Sequence, residues 1–299
     1  MTPYHQPVMA AECIEALAIQ PAGVYVDVTF GGGGHSRLIL EALGAEGRLF
    51  GFDQDPDAVQ NVPADPRFVL VQQNFRFLKR FLKLHGIKEV DGILADLGVS
   101  SHQLDEAERG FSYRFEAALD MRMNQADECS AATVLNFASA DTLQRIFSMY
   151  GEVRNSKTLA EHIVSARQTR PLQTIGDLLG VLEPLIRGNR LRYLSQVFQA
   201  LRIEVNDEMG ALADMFSQAY EILKPGGRLV VLSYHSIEDR VVKNFLKTGN
   251  ADGEVQKDFY GNIFRPYSFP DSKMSQPSEE EIRRNPRSRS AKLRVGEKR

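Results

Sequence analysis

The sequence predicts an α/β protein: a parallel-rich, doubly wound sheet with an all-helical domain inserted into it. Three observations predict this. Short apolar runs alternate with helix-spaced patterns over residues 24–96, as in parallel α/β sheets. The alternation stops between about 104 and 192, where only helical segments are readable. A further apolar run returns at 228–234. A chain of 299 residues, 43% of them hydrophobic, suffices for one large domain or two unequal ones.

Strands are expected at 24–30 (VYVDVTF), 48–53 (RLFGFD), 67–72 (RFVLVQ), 90–96 (VDGILAD) and 228–234 (RLVVLSY). Helices are expected at 8–18, 36–43, 75–85 and 193–223. In the last, Leu194, Val197, Phe198, Leu201, Val205, Met209, Leu212 and Phe216 recur at helical spacing. Inside the insert, helices are expected near 130–150, 155–168 and 174–187, the last opened by the capping pattern Thr174-x-x-Asp177. The domain reading is 1–103 for the first part of the sheet domain, 104–192 for the insert and 193–299 for the second part. Residues 249–285 are rich in Gly, Pro, Ser and charge and are expected to form a long loop. At the end, Ala291, Leu293 and Val295 alternate with Lys292 and Arg294, which suggests a last strand with one wet face.

A net charge of −3 gives no chain-wide basic field, so any nucleic-acid binding must use local patches. Two distant cysteines, Cys13 and Cys129, make no disulfide framework or zinc site. The start lacks a leader pattern, and no stretch is long and apolar enough to span a bilayer. These features predict a soluble cytoplasmic protein with no membrane partner and no metal.

The most informative stretch is VYVDVTFGGGGHSRLIL, residues 24–40. Glycine lets a backbone turn sharply and approach a ligand closely. A glycine loop between a parallel strand and a helix sits at the carboxyl edge of the sheet, where ligands of such folds bind. It is not a Walker loop, because no lysine follows. It matches the dinucleotide pattern poorly, since Ser36 or Arg37 stands where the third glycine belongs. The next strand ends at Asp53, about 20 residues on, where an acid accepts hydrogen bonds from ribose hydroxyls. The third strand leads to Phe75, which could flank an adenine ring or serve the core. Asp96 closes the fourth apolar run, where an unpaired acid is costly to bury and a partner is expected. The turn in ILKPGGRLVVLS is a habit of adenosylmethionine-dependent methyltransferases more than of dehydrogenases.

Taken together, DVTFGGGGHSRLIL, ADLGVSSHQLDEAERGFSYR, LDMRM, YGEVRNS, FQALRIEVNDE, LKPGGRLVVLSYHSIEDRVVK and NPRSRSAKLR resemble the ribosomal RNA small subunit methyltransferase H (MraW) family, in order and over nearly the whole chain. The resemblance implies a Rossmann-like class I methyltransferase domain with a helical insert for substrate recognition. It implies transfer of a methyl group from S-adenosyl-L-methionine to the exocyclic N4 of a decoding-centre cytidine in 16S rRNA of the 30S subunit. It leaves a homodimer open. Family cofactor positions fall on Gly33, Gly34, His35, Asp53, Phe75, Asp96 and Gln103. All but Gln103 also follow from their places at the sheet edge. The chain departs from the family at His102, where a proline is expected.

Methyl transfer to nitrogen mainly needs the reactants positioned, worth roughly 7–11 kcal/mol in well-aligned cases. The cytosine amine shares its lone pair with the ring, so an acceptor near its hydrogens helps. Asp96 and His235 are the catalytic candidates. His235 stands in the polar cluster Ser233, Tyr234, His235 and Ser236 after the fifth strand. His35 is expected to donate to a cofactor carboxylate, and Tyr234 to stack on a flipped base. Asn206 either caps or bridges within its helix or takes part in catalysis. Arg187, Arg190, Arg192, Arg283, Arg284, Arg287 and Arg289 are the candidate RNA contacts. Two other readings remain: a non-catalytic cofactor-binding ribosome assembly factor and an NAD-dependent oxidoreductase.

Overall fold

A computed structural model describes residues 7–270 and 274–299. The leader reading and His5 fall on residues 1–6, and 271–273 belong to the expected loop; both stretches lie outside the described residues. The chain divides into two compact units. One combines residues up to Gly98 with Met209–Arg299, and the other is Val99–Glu208. Among the described residues no helix is long and apolar enough to cross a membrane.

The first unit is built on a seven-stranded sheet in the order β3-β2-β1-β4-β5-β7-β6. The strands are β1 (Val24–Asp27), β2 (Arg48–Phe52), β3 (Phe68–Val71), β4 (Val90–Asp96), β5 (Leu223–Ser233), β6 (Tyr267–Ser268) and β7 (Lys292–Lys298). β1 to β5 run parallel, while β7 runs antiparallel to β5 and β6 to β7. This parallel core with a reversed penultimate strand is the Rossmann-like methyltransferase sheet that the sequence predicts.

Strand residues alternate between two apolar layers. Val26, Phe50, Phe52, Ile93, Leu229 and Val231 pack with helices α3 (Leu78–Leu84), α10 (Glu208–Ile222) and α11 (Ser236–Thr248). Tyr25, Leu49, Leu94, Val230 and Leu232 face the other way, onto α1 (Ala10–Leu17) and α2 (Gly34–Ala42). Helices on both faces leave the strand ends as the exposed working edge. β7 corrects the expectation of a wet face. Arg294 is buried, because Lys292 and Arg294 both bond Asp239 of α11, at 3.1 and 2.6 Å.

The second unit is all helical: α4 (Ser101–Asp105), α5 (Ala131–Phe137), α6 (Ala140–Met149), α7 (Ser156–Thr169), α8 (Ile175–Leu182) and α9 (Arg190–Val205). Its boundaries differ from 104 and 192, because Leu194, Val197, Phe198 and Leu201 of α9 lie in its core with Leu143, Phe147, Leu159 and Leu178. The single helix expected over 193–223 is two helices. Asn206 caps the first and Asp207 takes a left-handed φ of 44°. Likewise 130–150 is two helices, the second opened by Ser139, whose side chain accepts from the Thr142 N–H. Thr174 and Asp177 form the expected capping box.

Candidate active site

The carboxyl edge of the sheet gathers acids from three adjacent strands: Asp27 ends β1, Asp53 follows β2 and Asp96 ends β4. Asp27, which sequence reasoning passed over, is buried and ties the glycine loop to its strand. It accepts from Ser36 Oγ at 2.7 Å and from the Thr29 N–H at 3.1 Å. Burial holds its carboxyl above the usual range. The Asp27-x-Thr29 spacing just before the glycines was the available signal.

The glycine loop is shaped by its own needs. Gly33 caps α2 in the left-handed region with φ 72°. A Cβ there would come within 3.0 Å of the Phe30 ring, and one on Gly34 within 3.2 Å of Pro7. Asp53 locks the loop from the next strand. Its two carboxylate oxygens accept from the Gly31 N–H at 2.7 Å and the Asp55 N–H at 2.8 Å. Burial pushes the Asp53 carboxyl up to about 6 despite these bonds. Asn74 Nδ2 donates to Gln54 Oε1 at 2.8 Å and joins the exits of β2 and β3. Phe75 follows at once, half-buried at the rim of the core beneath.

Asp96 is partly buried, and three elements hold it. Its N–H donates to Thr29 Oγ1 at 2.6 Å, Tyr234 Oη donates to its Oδ1 at 2.6 Å, and His35 Nδ1 lies 3.7 Å from its Oδ2. Burial raises its carboxyl above the usual range, against the pull of His35 and Tyr234. Among the described residues, no lysine or arginine pairs with Asp27, Asp53 or Asp96.

The other candidates make the following contacts within the protein. His35 is buried and its Nε2 lies 3.0 Å from the Val8 carbonyl. A carbonyl only accepts, so this nitrogen carries a proton. The Tyr234 hydroxyl is spent on Asp96. Ser233 is buried on the β5 face shared with Val231, away from Tyr234. His235 is the N-cap of α11: its Nδ1 accepts from the Glu238 N–H at 3.3 Å. Its Nε2 stands 3.0 Å from Oε1 of buried Glu238, poorly aligned as a hydrogen bond. Glu238 Oε2 in turn accepts from the Tyr234 N–H at 3.0 Å. Glu238 was missed, as was α11, although Ile237, Val241, Val242, Phe245 and Leu246 repeat at helical spacing.

Two candidates belong to the helical unit. Gln103 closes a capping box with Ser100, its Oε1 accepting from the Ser100 N–H at 3.0 Å. This cap orders the turn that carries His102 without a proline. Asn206 is a structural clamp: its side chain accepts from the Met123 N–H at 2.7 Å and donates to the Met121 and Arg202 carbonyls, both at 2.8 Å. Of the proposed RNA contacts, Arg190 is paired with Glu183 and Arg284 with Glu280.

A family model described as the MraW methylase family matches residues 2–299. The chain is 56% identical over 297 residues to "Ribosomal RNA small subunit methyltransferase H" of Parabacteroides distasonis, covering 99% of this chain and 97% of that one. It is 54% identical over 296 residues to the protein of the same name in Flavobacterium johnsoniae, with 99% and 98% covered. Among solved structures, an rRNA methylase from Streptococcus thermophilus is similar over 97% of this chain and 93% of its own, at 12% identity and a TM-score of 0.41. At that score the strand order, not the match, carries the fold.

Proposed function

The chain belongs to the MraW methylase family, and we propose that it is an S-adenosyl-L-methionine-dependent methyltransferase of 16S rRNA, acting on the exocyclic N4 of a decoding-centre cytidine in the 30S subunit. The observation that carries this reading is the acidic sheet edge. Three carboxylates with no lysine or arginine partner among the described residues suit a cationic sulfonium and its amino group. They would repel the pyrophosphate of a dinucleotide, which disfavours the oxidoreductase reading.

The residues present fit the cofactor. The Gly33 and Gly34 backbone would lie against it, and a Cβ at either position would crowd the loop against Phe30 or Pro7. Asp53 would accept from the ribose hydroxyls, Phe75 would flank the adenine, and Asp96 would face the reacting end. Gln103 is assigned to the cofactor on the family likeness alone. When bound, S-adenosyl-L-methionine supplies a sulfonium methyl group whose transfer releases a neutral thioether, so the leaving side needs no acid. Asp96 accepts from the cytosine amine hydrogens, localises the nitrogen lone pair and takes up the proton. His235 supports this from behind: it caps α11 and pairs with Glu238, which holds the Tyr234 backbone. The Val99–Glu208 unit binds RNA. Calorimetry tests the cofactor assignment: S-adenosyl-L-methionine should bind and NAD should not. The reverse result would establish the dinucleotide reading, and binding without turnover the assembly-factor one.

A further inference from the structure

The two oxygens of Asp96 have different inner neighbours. Oδ1 accepts from the Tyr234 hydroxyl at 2.6 Å. Oδ2 faces His35 Nδ1 at 3.7 Å. The other ring nitrogen of His35, Nε2, is committed to the Val8 carbonyl at 3.0 Å and carries a proton there. A neutral His35 therefore turns a lone pair toward a carboxylate oxygen, and two acceptors face each other. One proton between them removes the conflict, carried by the ring or by the acid. Tyr234 remains a donor, since burial and the neighbouring Asp96 carboxylate hold its phenol well above the usual range.

We propose that Tyr234 and His35 are positioning residues that fix the orientation and the proton occupancy of Asp96. The proposal rests on the reading of Asp96 as the carboxylate that meets the cytosine amine. Other groups also face Asp96: Asp27 of β1 and Glu238 of α11 disfavour its charge. Cys13 of α1 is buried, and burial together with Asp96 holds its thiol high and neutral. Tyr234 and His35 favour the ionised carboxylate, one by a short hydrogen bond and the other electrostatically. An ionised Asp96 can accept the amine proton and a protonated one cannot. Turnover therefore falls on acidification through the Asp96 pKa. Removing either supporting group raises that pKa and moves the acidic limb to higher pH.

The test is single-turnover methylation of 30S subunits by the full chain with S-adenosyl-L-methionine, followed against pH. Tyr234→Phe keeps the ring and loses the hydroxyl. His35→Gln keeps a donor toward Val8 and loses the nitrogen facing Oδ2. Thermal melts confirm that each is folded, and the second variant serves if the first is not. The acidic limb should move up by about one pH unit or more in Tyr234→Phe, as for a lost hydrogen bond to a charged group, and by less in His35→Gln, which loses a contact of 3.7 Å. The RNA KM should be unchanged. Asp96→Asn should lose turnover at every pH. An inactive Asp96→Asn with limbs unmoved in both other variants overturns the positioning proposal and spares the reading of Asp96. An unmoved limb in one variant removes that residue from the role. Full turnover in Asp96→Asn removes the reading itself.

Discussion

Replacing Asp53 by alanine probes cofactor affinity and loop order together. In the wild type the carboxylate holds the Gly31 N–H at 2.7 Å and the Asp55 N–H at 2.8 Å, with further acceptor capacity for ribose hydroxyls. Hydrogen bonds to a charged group contribute about 1.5–3 kcal/mol each. Loss of the ligand bonds with a loosened loop should weaken S-adenosylhomocysteine by roughly ten- to a hundredfold or more, since 1.4 kcal/mol is tenfold. The same group should make binding pH-dependent. Burial pushes Asp53 up to about 6 in the free protein, and a ligand donating hydroxyl hydrogens favours the ionised form. Binding is then full above about pH 6 and weakens below it, by at most tenfold per pH unit. Asp53→Asn cannot titrate and should lose this part of the dependence. Calorimetry of the three proteins from pH 5 to 8 decides. Unchanged affinity in Asp53→Ala, or the same pH slope in Asp53→Asn, refutes the assignment.

Gly33→Val should lower the melting temperature and abolish cofactor binding, because a left-handed side chain costs about 1–2 kcal/mol before its clash with Phe30. Gly86→Val shares the positive φ with open space around it and should bind normally in the same titration. His235→Ala should cost about 1 kcal/mol in thermal unfolding, as for a lost N-cap, and leave the acidic limb of turnover in place. Asn206→Ala orphans the Met123 N–H and should destabilise the helical unit by about 1–3 kcal/mol in a denaturant titration, with S-adenosylhomocysteine affinity retained. Replacing 99–208 by a short linker should preserve cofactor binding in calorimetry and remove methylation of 30S subunits.

The sheet was legible because each parallel strand is a short apolar run closed by a polar residue, and the edge acids Asp53 and Asp96 mark those closures. Boundaries were less legible where one side chain decides them. Asn206 and Asp207 split a pattern whose apolar spacing runs unbroken from Leu194 to Phe216. That break hands α9 to the helical unit, so the insert's end was misplaced. Local pattern could not show where side chains spend their hydrogen bonds. His35, Tyr234 and His235 sit in the motifs that mark the site, yet each is committed to a protein partner distant or nearby: Val8, Asp96 and Glu238. Gly33 was expected to spare a ligand, and its immediate constraint is Phe30. The two-residue strand β6 is held by pairing with β7 and has no periodicity of its own to read.

The central claim is methyl transfer to cytosine N4. The direct measurement is nucleoside mass spectrometry of 16S rRNA from 30S subunits incubated with the purified chain and isotopically labelled S-adenosyl-L-methionine. The account expects label in N4-methylcytidine from a decoding-centre fragment, and none when Asp96→Asn replaces the wild type. Label in a ring-carbon or ribose methyl, or no label from a protein that binds the cofactor, would contradict it.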